Sequence, residues 1–238
     1  MTMPPKRAGT RPPKQPRQLS LDLQTMPAVG RNDFYVSSAN ATAVALIEGW
    51  QNWPARKLVL NGPAGSGKTH LAHVWRDLSG ARIVNARDLP GADIPALAAG
   101  HIAIEAADAI AGDSAAEEAL FHLHNLALAE GHSLLITARA APNHWPLVLP
   151  DLASRMQATP TCTLKEPDDE LLAAVLMKQM GDRQILPTPG TIPFLVRRMP
   201  RAFGEAGRVV AALDKLALER RRPVTRALAA EVLDKLGL

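Results

Sequence analysis

The stretch GPAGSGKT at residues 62–69 lies between a short apolar run, KLVLN at residues 57–61, and a helical pattern over residues 68–79. It fits G-x-x-x-x-G-K-[ST] in the strand–loop–helix setting that this pattern requires. Its three glycines let the backbone curl so that successive N–H groups point at one anion, and the following helix directs its positive end to the same place. The stretch therefore predicts a site for nucleotide phosphates.

Each residue type in this loop has an expected role. Lys68 is expected to reach the terminal phosphates, and the Thr69 hydroxyl to ligate Mg²⁺. The ligand is expected to be ADP or ATP together with Mg²⁺. The residues expected to surround it are Gly62, Pro63, Ala64, Gly65, Ser66, Gly67, Lys68, Thr69 and His70.

A site of this kind usually needs a second strand that ends in acids, and the candidate is IAIEAADAI at residues 102–110. Glu105 stands where a metal-organising acid belongs, so it is the predicted second ligand of Mg²⁺. Ala106 occupies the place of a neighbouring acid and cannot polarise water, which predicts slow hydrolysis by this chain alone. Asp108 is either a partial substitute or, as we expect, a solvated loop acid.

The wider pattern predicts an α/β domain followed by a small all-helical domain. Strand patterns at 57–61, 82–85, 101–105 and 133–137 alternate with helical patterns at 39–50, 68–79 and 114–130, which indicates a parallel sheet. After Thr163 only helical patterns follow, near 168–180, 189–199, 203–221 and 225–236. The predicted organisation is a tail over residues 1–28, a nucleotide-binding α/β domain over 29–163 and a helical lid over 164–238.

The first residues have the composition of a disordered tail. Residues 1–17 hold five prolines and five Lys or Arg residues without one acid, and such a segment cannot bury enough apolar surface to offset its ordering entropy. QLSLDL at residues 18–23 differs because three leucines alternate with polar residues. It is either an extended peptide that binds a partner or a stray first strand of the core.

Charge and cysteine content narrow the class of protein. The chain has 238 residues and a net charge of +4, and residues 18–238 sum to about −1 once the tail is left out. Residues 88–130 carry eight acids and no Lys or Arg, whereas residues 197–226 carry nine Lys or Arg and three acids. The acidic and the basic stretch are either two solvated faces or complementary patches that orient a partner. The single cysteine, Cys162, excludes a disulfide within the chain, and without a signal peptide or an apolar span we expect a cytoplasmic protein with no membrane partner.

The order of these motifs resembles the AAA+ ATPases of the bacterial replication initiator DnaA, and most closely the Hda-type regulators that inactivate the initiator. The resemblance covers almost the whole chain. The segments that carry it are QLSLDL (18–23, a clamp-binding hexapeptide), DFYV (33–36), GPAGSGKTHL (62–71), IEAADAIAGD (104–113), LLITARAAP (134–142, sensor 1), LPDLASR (149–155, the arginine finger) and MPRAFGE (199–205, sensor 2).

The resemblance implies partners and further site residues. Arg155 would be an arginine finger that acts in trans on ATP bound to DnaA; from the residues alone it is a surface arginine that pairs with Asp151. Arg201 would contact the nucleotide from the lid. The DNA sliding clamp would bind the hexapeptide, whose residues are Gln18, Leu19, Ser20, Leu21, Asp22 and Leu23. Self-association into a homo-oligomer is left open.

The sequence departs from the family pattern at three places. Asp22 stands in place of proline, Glu105-Ala106 in place of an acidic or amide pair, and Ala138-Arg139 in place of a polar–acidic sensor. The last two suit a protein that holds nucleotide as an effector and hydrolyses it weakly. The leading hypothesis is a clamp-bound negative regulator of replication initiation that stimulates ATP hydrolysis by DnaA. The alternative is an autonomous AAA+ ATPase that remodels DNA or loads a helicase. Since the chain ends where the lid should end, sequence-specific DNA binding is not expected.

Overall fold

A parallel five-stranded sheet organises the first part of the computed structural model, which describes residues 35–238. The strand order is β2-β3-β4-β1-β5, and all four pairings are parallel. The strands are β1 (Lys57–Asn61), β2 (Arg82–Asn85), β3 (Ile102–Glu105), β4 (Leu134–Ala138) and β5 (Thr161–Thr163).

The central strands are apolar because helices cover both faces of the sheet. Every residue of β1 and β4 is buried. Successive side chains of a strand point to opposite faces, so Leu58 and Leu60 belong to one apolar cluster whereas Val59 belongs to another.

Five helices supply the two covering layers in the described chain. Helices α1 (Ala41–Glu48) and α2 (Lys68–Ser79) pack against the face that carries Leu58 and Leu60. Helices α3 (Ile94–Ala98), α4 (Ser114–Ala129) and α5 (Pro150–Gln157) contribute buried residues to the cluster on the opposite face.

Beyond β5, the described chain forms a helical unit with its own apolar core. Its helices are α6 (Asp169–Asp182), α7 (Thr191–Arg198), α8 (Phe203–Arg220) and α9 (Arg226–Leu236). They bury a cluster that shares no residue with the two clusters of the sheet. No helix within residues 35–238 is long and apolar enough to cross a bilayer.

The predicted fold class, a parallel α/β sheet followed by helices, is confirmed, and the first four strands and the larger helices agree with the predicted ranges to within about three residues. Three elements were not predicted, namely α3, α5 and β5. The sequence of β5 is TCT, in which only Cys162 is buried, and α5 begins at a proline and buries only Leu152 and Met156. The predicted tail and the hexapeptide at residues 18–23 lie outside the described residues.

Candidate nucleotide-binding site

The GPAGSGKT loop connects the end of β1 to the start of α2. Gly67 precedes α2 in a left-handed conformation, and no side chain caps this helix. The first N–H groups of a helix have no partner within the helix, so an uncapped helix start offers them, with the positive end of the helix dipole, to an anion. The backbone therefore has the form of a phosphate site.

Lys68, the first residue of α2, folds back over this loop. Its Nζ donates to the carbonyl oxygens of Gly62 and Pro63 at 2.7 Å each, and it lies 3.4 Å from the Ser66 hydroxyl. An ammonium held by neutral carbonyls has no counter-ion among them, and phosphate oxygens are the stronger acceptors. The Lys68 ammonium therefore lies at the place where a terminal phosphate is expected.

Three other charged residues lie close enough to Lys68 to affect its titration. Burial lowers the pKa of the Lys68 ammonium, and the positive charge of Arg139 lowers it further, whereas Asp108 and Glu105 raise it. These residues follow or end β3 and β4, which pair beside β1 in the sheet. The carboxyl ends of three neighbouring strands thus bring four charges to one edge.

Glu105 has the environment of a metal ligand. Its Oε1 is buried and has no hydrogen-bond partner in the protein, and a buried carboxylate oxygen left unpaired is costly unless a cation or water meets it. Thr69 in the first turn of α2 is exposed. A hydroxyl and a carboxylate oxygen are ligands that Mg²⁺ accepts, together with phosphate oxygens and water. The described residues contain no cluster of three or more His, Cys, Asp or Glu that could hold a metal. Ligation of Mg²⁺ by Thr69 and Glu105 stays a prediction.

Ala106 offers nothing that could activate water. It lies in the left-handed region at φ 56°, and its N–H donates to the Thr137 hydroxyl at 3.3 Å. Its side chain is a methyl group, so the position beside the expected metal ligand has no base. Weak intrinsic hydrolysis therefore stays a prediction, now with a defined local geometry.

Asp108 is partly exposed, as expected of a loop acid, and also makes a contact within the protein. Its Oδ2 accepts a hydrogen bond from the Arg139 N–H at 3.0 Å. The left-handed turn at Ala106 and the short 3₁₀ turn over residues 107–110 direct this carboxylate back to the end of β4. Asp108 therefore belongs to the edge of the site.

The sequence pattern identifies Arg139 only as a departure from a sensor, yet in the structure its charge acts on the Lys68 ammonium. The available signal was its position directly after a buried strand, where α/β proteins place ligand-binding residues.

The start of α8 packs directly on the phosphate loop. The Phe203 N–H donates to the Gly65 carbonyl at 3.0 Å. A Cβ at Gly65 would lie 2.5 Å from the Cβ of Ala202, and a Cβ at Gly67 would lie 2.9 Å from the Phe203 ring. The two glycines are therefore needed for the lid to approach the loop, in addition to their role in the turn.

Arg201 lies one residue before this contact but is engaged elsewhere. Its guanidinium pairs with Asp169 at 2.6 Å and donates to the Pro167 carbonyl at 3.4 Å. The structure brings its backbone beside the loop, but its side chain is held by the start of α6. A contact between Arg201 and nucleotide stays a prediction.

Arg155 is exposed on α5, on the side of the sheet covered by α4. Its guanidinium lies over the Phe121 ring of α4, with 5.5 Å between Cζ and the ring centroid. The described residues show no ion pair between Arg155 and Asp151, so Arg155 is a surface arginine that packs on Phe121. Its role as an arginine finger stays a prediction.

The arrangement of sheet, loop and helices is similar to that of several solved structures. Domain III of the Thermotoga maritima replication initiation protein DnaA superposes with a TM-score of 0.78 at 16% identity, covering 88% of this chain and 97% of that one. AMPPCP-bound DnaA from Aquifex aeolicus superposes with a TM-score of 0.65 at 13% identity, covering 81% of this chain and 65% of that one. A variant of Thermotoga maritima RuvB superposes with a TM-score of 0.66 at 14% identity, covering 87% of this chain and 70% of that one. No protein-family model matches the chain.

The fold is therefore that of an AAA+ P-loop domain with a helical lid. Within that class it is DnaA-like. At such identities the likeness establishes the fold alone.

The first prediction concerns nucleotide binding at Lys68. ADP or ATP at 100 times its Kd should stabilise the parent protein by about 2.7 kcal/mol through mass action, measured as a shift in thermal unfolding. Lys68→Ala should remove most of that shift, because the ammonium is the cation that meets the terminal phosphates. Lys215→Ala, an exposed lysine on α8, is the charge-matched control. Equal shifts in Lys68→Ala and the control would place the nucleotide elsewhere.

A second prediction concerns the contact between the lid and the loop. Gly65 and Gly80 have similar positive φ angles, +74° and +72°, but nothing lies within 4 Å of a Cβ at Gly80. In both alanine variants, backbone strain should lower the free energy of unfolding by about 1–2 kcal/mol. Only Gly65→Ala should lose more, with a weaker shift on adding ADP, because its methyl group displaces Ala202. Chemical denaturation with and without ADP measures both effects, and equal losses would contradict the contact.

Proposed function

We propose that this protein is a nucleotide-dependent regulator of bacterial replication initiation, which stimulates ATP hydrolysis by the initiator DnaA instead of hydrolysing ATP efficiently itself. One contrast supports it most directly. The chain's own site has alanine at position 106 beside Glu105, whereas an arginine is exposed on α5. The chain thus offers a group that can complete a neighbour's site and lacks one that its own site needs.

The ligand in this proposal is ADP or ATP with Mg²⁺, bound as an effector. Lys68, Thr69 and Glu105 supply a cation, a hydroxyl and a carboxylate at the same edge of the sheet. The fold is shared with a DnaA that was solved with AMPPCP, an ATP analogue. With nucleotide in place, release of Arg201 from Asp169 would let the lid contact the phosphates.

An arginine acting in trans has a defined chemical effect. Phosphoryl transfer spreads negative charge over the oxygens of the transferred group, and an inserted guanidinium stabilises that charge. The exposed position of Arg155 on a short helix suits insertion into a neighbouring subunit, with Phe121 supporting the guanidinium from below. The neighbour in this proposal is DnaA loaded with ATP.

The sliding clamp would recruit the protein through residues 18–23. Burial of three leucines contributes roughly 1.5–3 kcal/mol each, and ordering six backbone residues costs roughly 1–2 kcal/mol each. These contributions nearly cancel, so binding depends on backbone hydrogen bonds and on more than one site per clamp ring. A homo-oligomer would therefore hold the clamp longer than a monomer.

The alternative function, an autonomous ATPase that remodels DNA, has one observation in its favour: the basic stretch over residues 197–226. Several of these charges already have acidic partners. Arg201 pairs with Asp169, and the exposed arginines of α8 pair with Glu205 and Glu231. Guanidiniums that are paired with carboxylates are less free to neutralise DNA phosphates, so this stretch offers fewer than nine charges to DNA. A DNA-stimulated ATPase assay separates the two functions.

The third prediction concerns Arg155. Arg155→Ala should lose stimulation of DnaA-bound ATP hydrolysis by about 10³-fold or more, while ADP-induced stabilisation stays at the parent level. Arg155→Lys should fail nearly as badly, because an ammonium cannot reproduce the planar fork of a guanidinium. The measurement is release of inorganic phosphate from ATP-loaded DnaA in the presence of clamp on DNA.

The control for Arg155 is Arg197→Ala, which removes an exposed arginine from α7 and should stimulate normally. Stimulation by Arg155→Ala at the parent rate would contradict the proposed mechanism even if clamp binding were found.

The fourth prediction concerns the clamp. Replacing Leu21 and Leu23 together by alanine should abolish retention on immobilised clamp, since two of three apolar anchors are lost, without changing thermal stability or nucleotide binding. Leu186→Ala, which truncates a leucine that is 87% exposed, is the matched control. Retention of the double variant on the clamp would show that residues 18–23 are not the recruiting peptide.

A further inference from the structure

The two buried charged side chains of residues 35–238 both contact α5 or its flanking residues. Among Asp, Glu, Lys and Arg in the described chain, only Glu117 and Lys57 are buried, with relative exposures of 0% and 7%. Burying a charge is costly unless it is well hydrogen-bonded. Glu117 and Lys57 do not pair with each other. Each forms hydrogen bonds with backbone groups at one end of the same short helix, α5.

Glu117 holds the N-terminal end of α5. Its Oε2 accepts hydrogen bonds from the Val148 and Leu149 N–H groups at 2.9 and 2.8 Å, and its Oε1 accepts one from the Gly112 N–H at 2.8 Å. Pro150, the first residue of α5, has no N–H to offer. A carboxylate at this end is also favoured by the helix dipole, and Glu117 binds the backbone N–H groups of the two residues that precede the helix.

Lys57 holds the C-terminal end through the backbone of Arg155 itself. The Arg155 carbonyl accepts from the Lys57 ammonium at 3.2 Å and from the Thr159 hydroxyl at 2.8 Å. Lys57 also lies 3.3 Å from Nε2 of His124, whose Nδ1 lies 3.2 Å from the Asn125 side-chain oxygen. A cation near the last carbonyls of a helix is again favourable.

The protonation state of His124 agrees with this geometry. Burial lowers the pKa of His124 to about 4, and the charges of Lys57 and Arg155 act in the same direction. The ring is therefore neutral near pH 7. Its Nε2 can accept from the ammonium while Nδ1–H donates to Asn125, a tautomer assigned from the hydrogen-bond network.

One face of α4 provides three of these contacts. Glu117, Phe121 and His124 are spaced four and three residues apart, which places them on one stripe of a helix. Along that stripe, Glu117 binds the start of α5, Phe121 supports the Arg155 guanidinium, and His124 lies beside the lysine at its end. The backbone of α5 is thereby fixed at both ends, and its arginine rests on the surface between them.

We propose that Glu117 and Lys57 are positioning residues for Arg155. This inference rests on the proposed function, in which Arg155 acts on ATP bound by DnaA. Transfer of a phosphoryl group is sensitive to misplacement of about 1 Å in a group that contacts the reacting atoms. If loosening either end of α5 shifts the guanidinium by a distance of this order, the stimulated rate falls while the nucleotide site and the clamp peptide stay unaltered.

The test uses Glu117→Gln and Lys57→Met, which keep the size of each side chain and remove its charge. Phosphate release from ATP-loaded DnaA is measured over a range of variant concentrations. We expect the maximal stimulated rate to fall at least about tenfold, with a half-saturating concentration within about twofold of the parent. We also expect faster amide hydrogen exchange in the peptide over residues 146–158 and unchanged exchange in the peptide over residues 68–79.

Two further variants separate positioning from general destabilisation. Ile47→Ala truncates a fully buried residue on the opposite face of the sheet and should lower the melting temperature while keeping the maximal rate. Thr159→Val removes one hydroxyl donor to the Arg155 carbonyl at nearly constant volume. If neither charge variant folds, Thr159→Val is the deciding variant: a maximal stimulated rate lowered by about threefold or more supports positioning, and the parent rate overturns it.

The outcomes distinguish this inference from the function on which it rests. If Arg155→Ala loses stimulation while folded Glu117→Gln and Lys57→Met keep the parent rate, positioning is wrong and the function stands. A raised half-saturating concentration at an unchanged maximal rate would show a role in partner binding and would also overturn positioning. If Arg155→Ala itself stimulates like the parent, the proposed function fails.

Discussion

The position of β4 between β1 and β3 is the constraint on which the site depends. All three strands are parallel, so their carboxyl ends meet at one edge, where the phosphate loop, Glu105 and Arg139 follow from different parts of the chain. The same edge receives the lid through the bond between Phe203 and Gly65. In the proposed function, this contact would let a nucleotide at the loop influence the position of α8 without being hydrolysed.

The distribution of charge separates what the chain can bind from what it can catalyse. Its own site gathers Lys68, Arg139 and the carboxylates of Glu105 and Asp108, which in the proposed function would hold the phosphates and a metal. It has a methyl group at Ala106, where a base would be needed. The buried charges Glu117 and Lys57 instead support α5, which carries Arg155. The two buried charges, which are costly to bury, thus contact the helix that carries an exposed arginine. They do not contact the place where a base would activate water in the chain's own site.

Much of the fold could be predicted because its signals are local. The run KLVLN, the glycine loop and the following helical pattern specify β1, the loop and α2 with the bounds that the structure has. Strand β5 could not be predicted from TCT, because three residues carry no periodicity and its stability comes from pairing with β1. The contacts of Asp108 with Arg139, and of Lys57 with Arg155, were likewise hidden, since 31 and 98 residues separate the partners in sequence. The residue types indicate which chemistry a site can perform. Which residues contact each other could be known only from the order of the strands in the sheet.

The central claim is that hydrolysis occurs in the partner's site and not in this chain's own site. It is tested most directly by loading DnaA with γ-labelled ATP and this protein with unlabelled ATP, mixing them with clamp on DNA, and following both nucleotides through a single turnover. The account predicts rapid release of the label from DnaA while the ATP on this protein persists. Rapid loss of this protein's own ATP, with the label on DnaA unchanged, would contradict it.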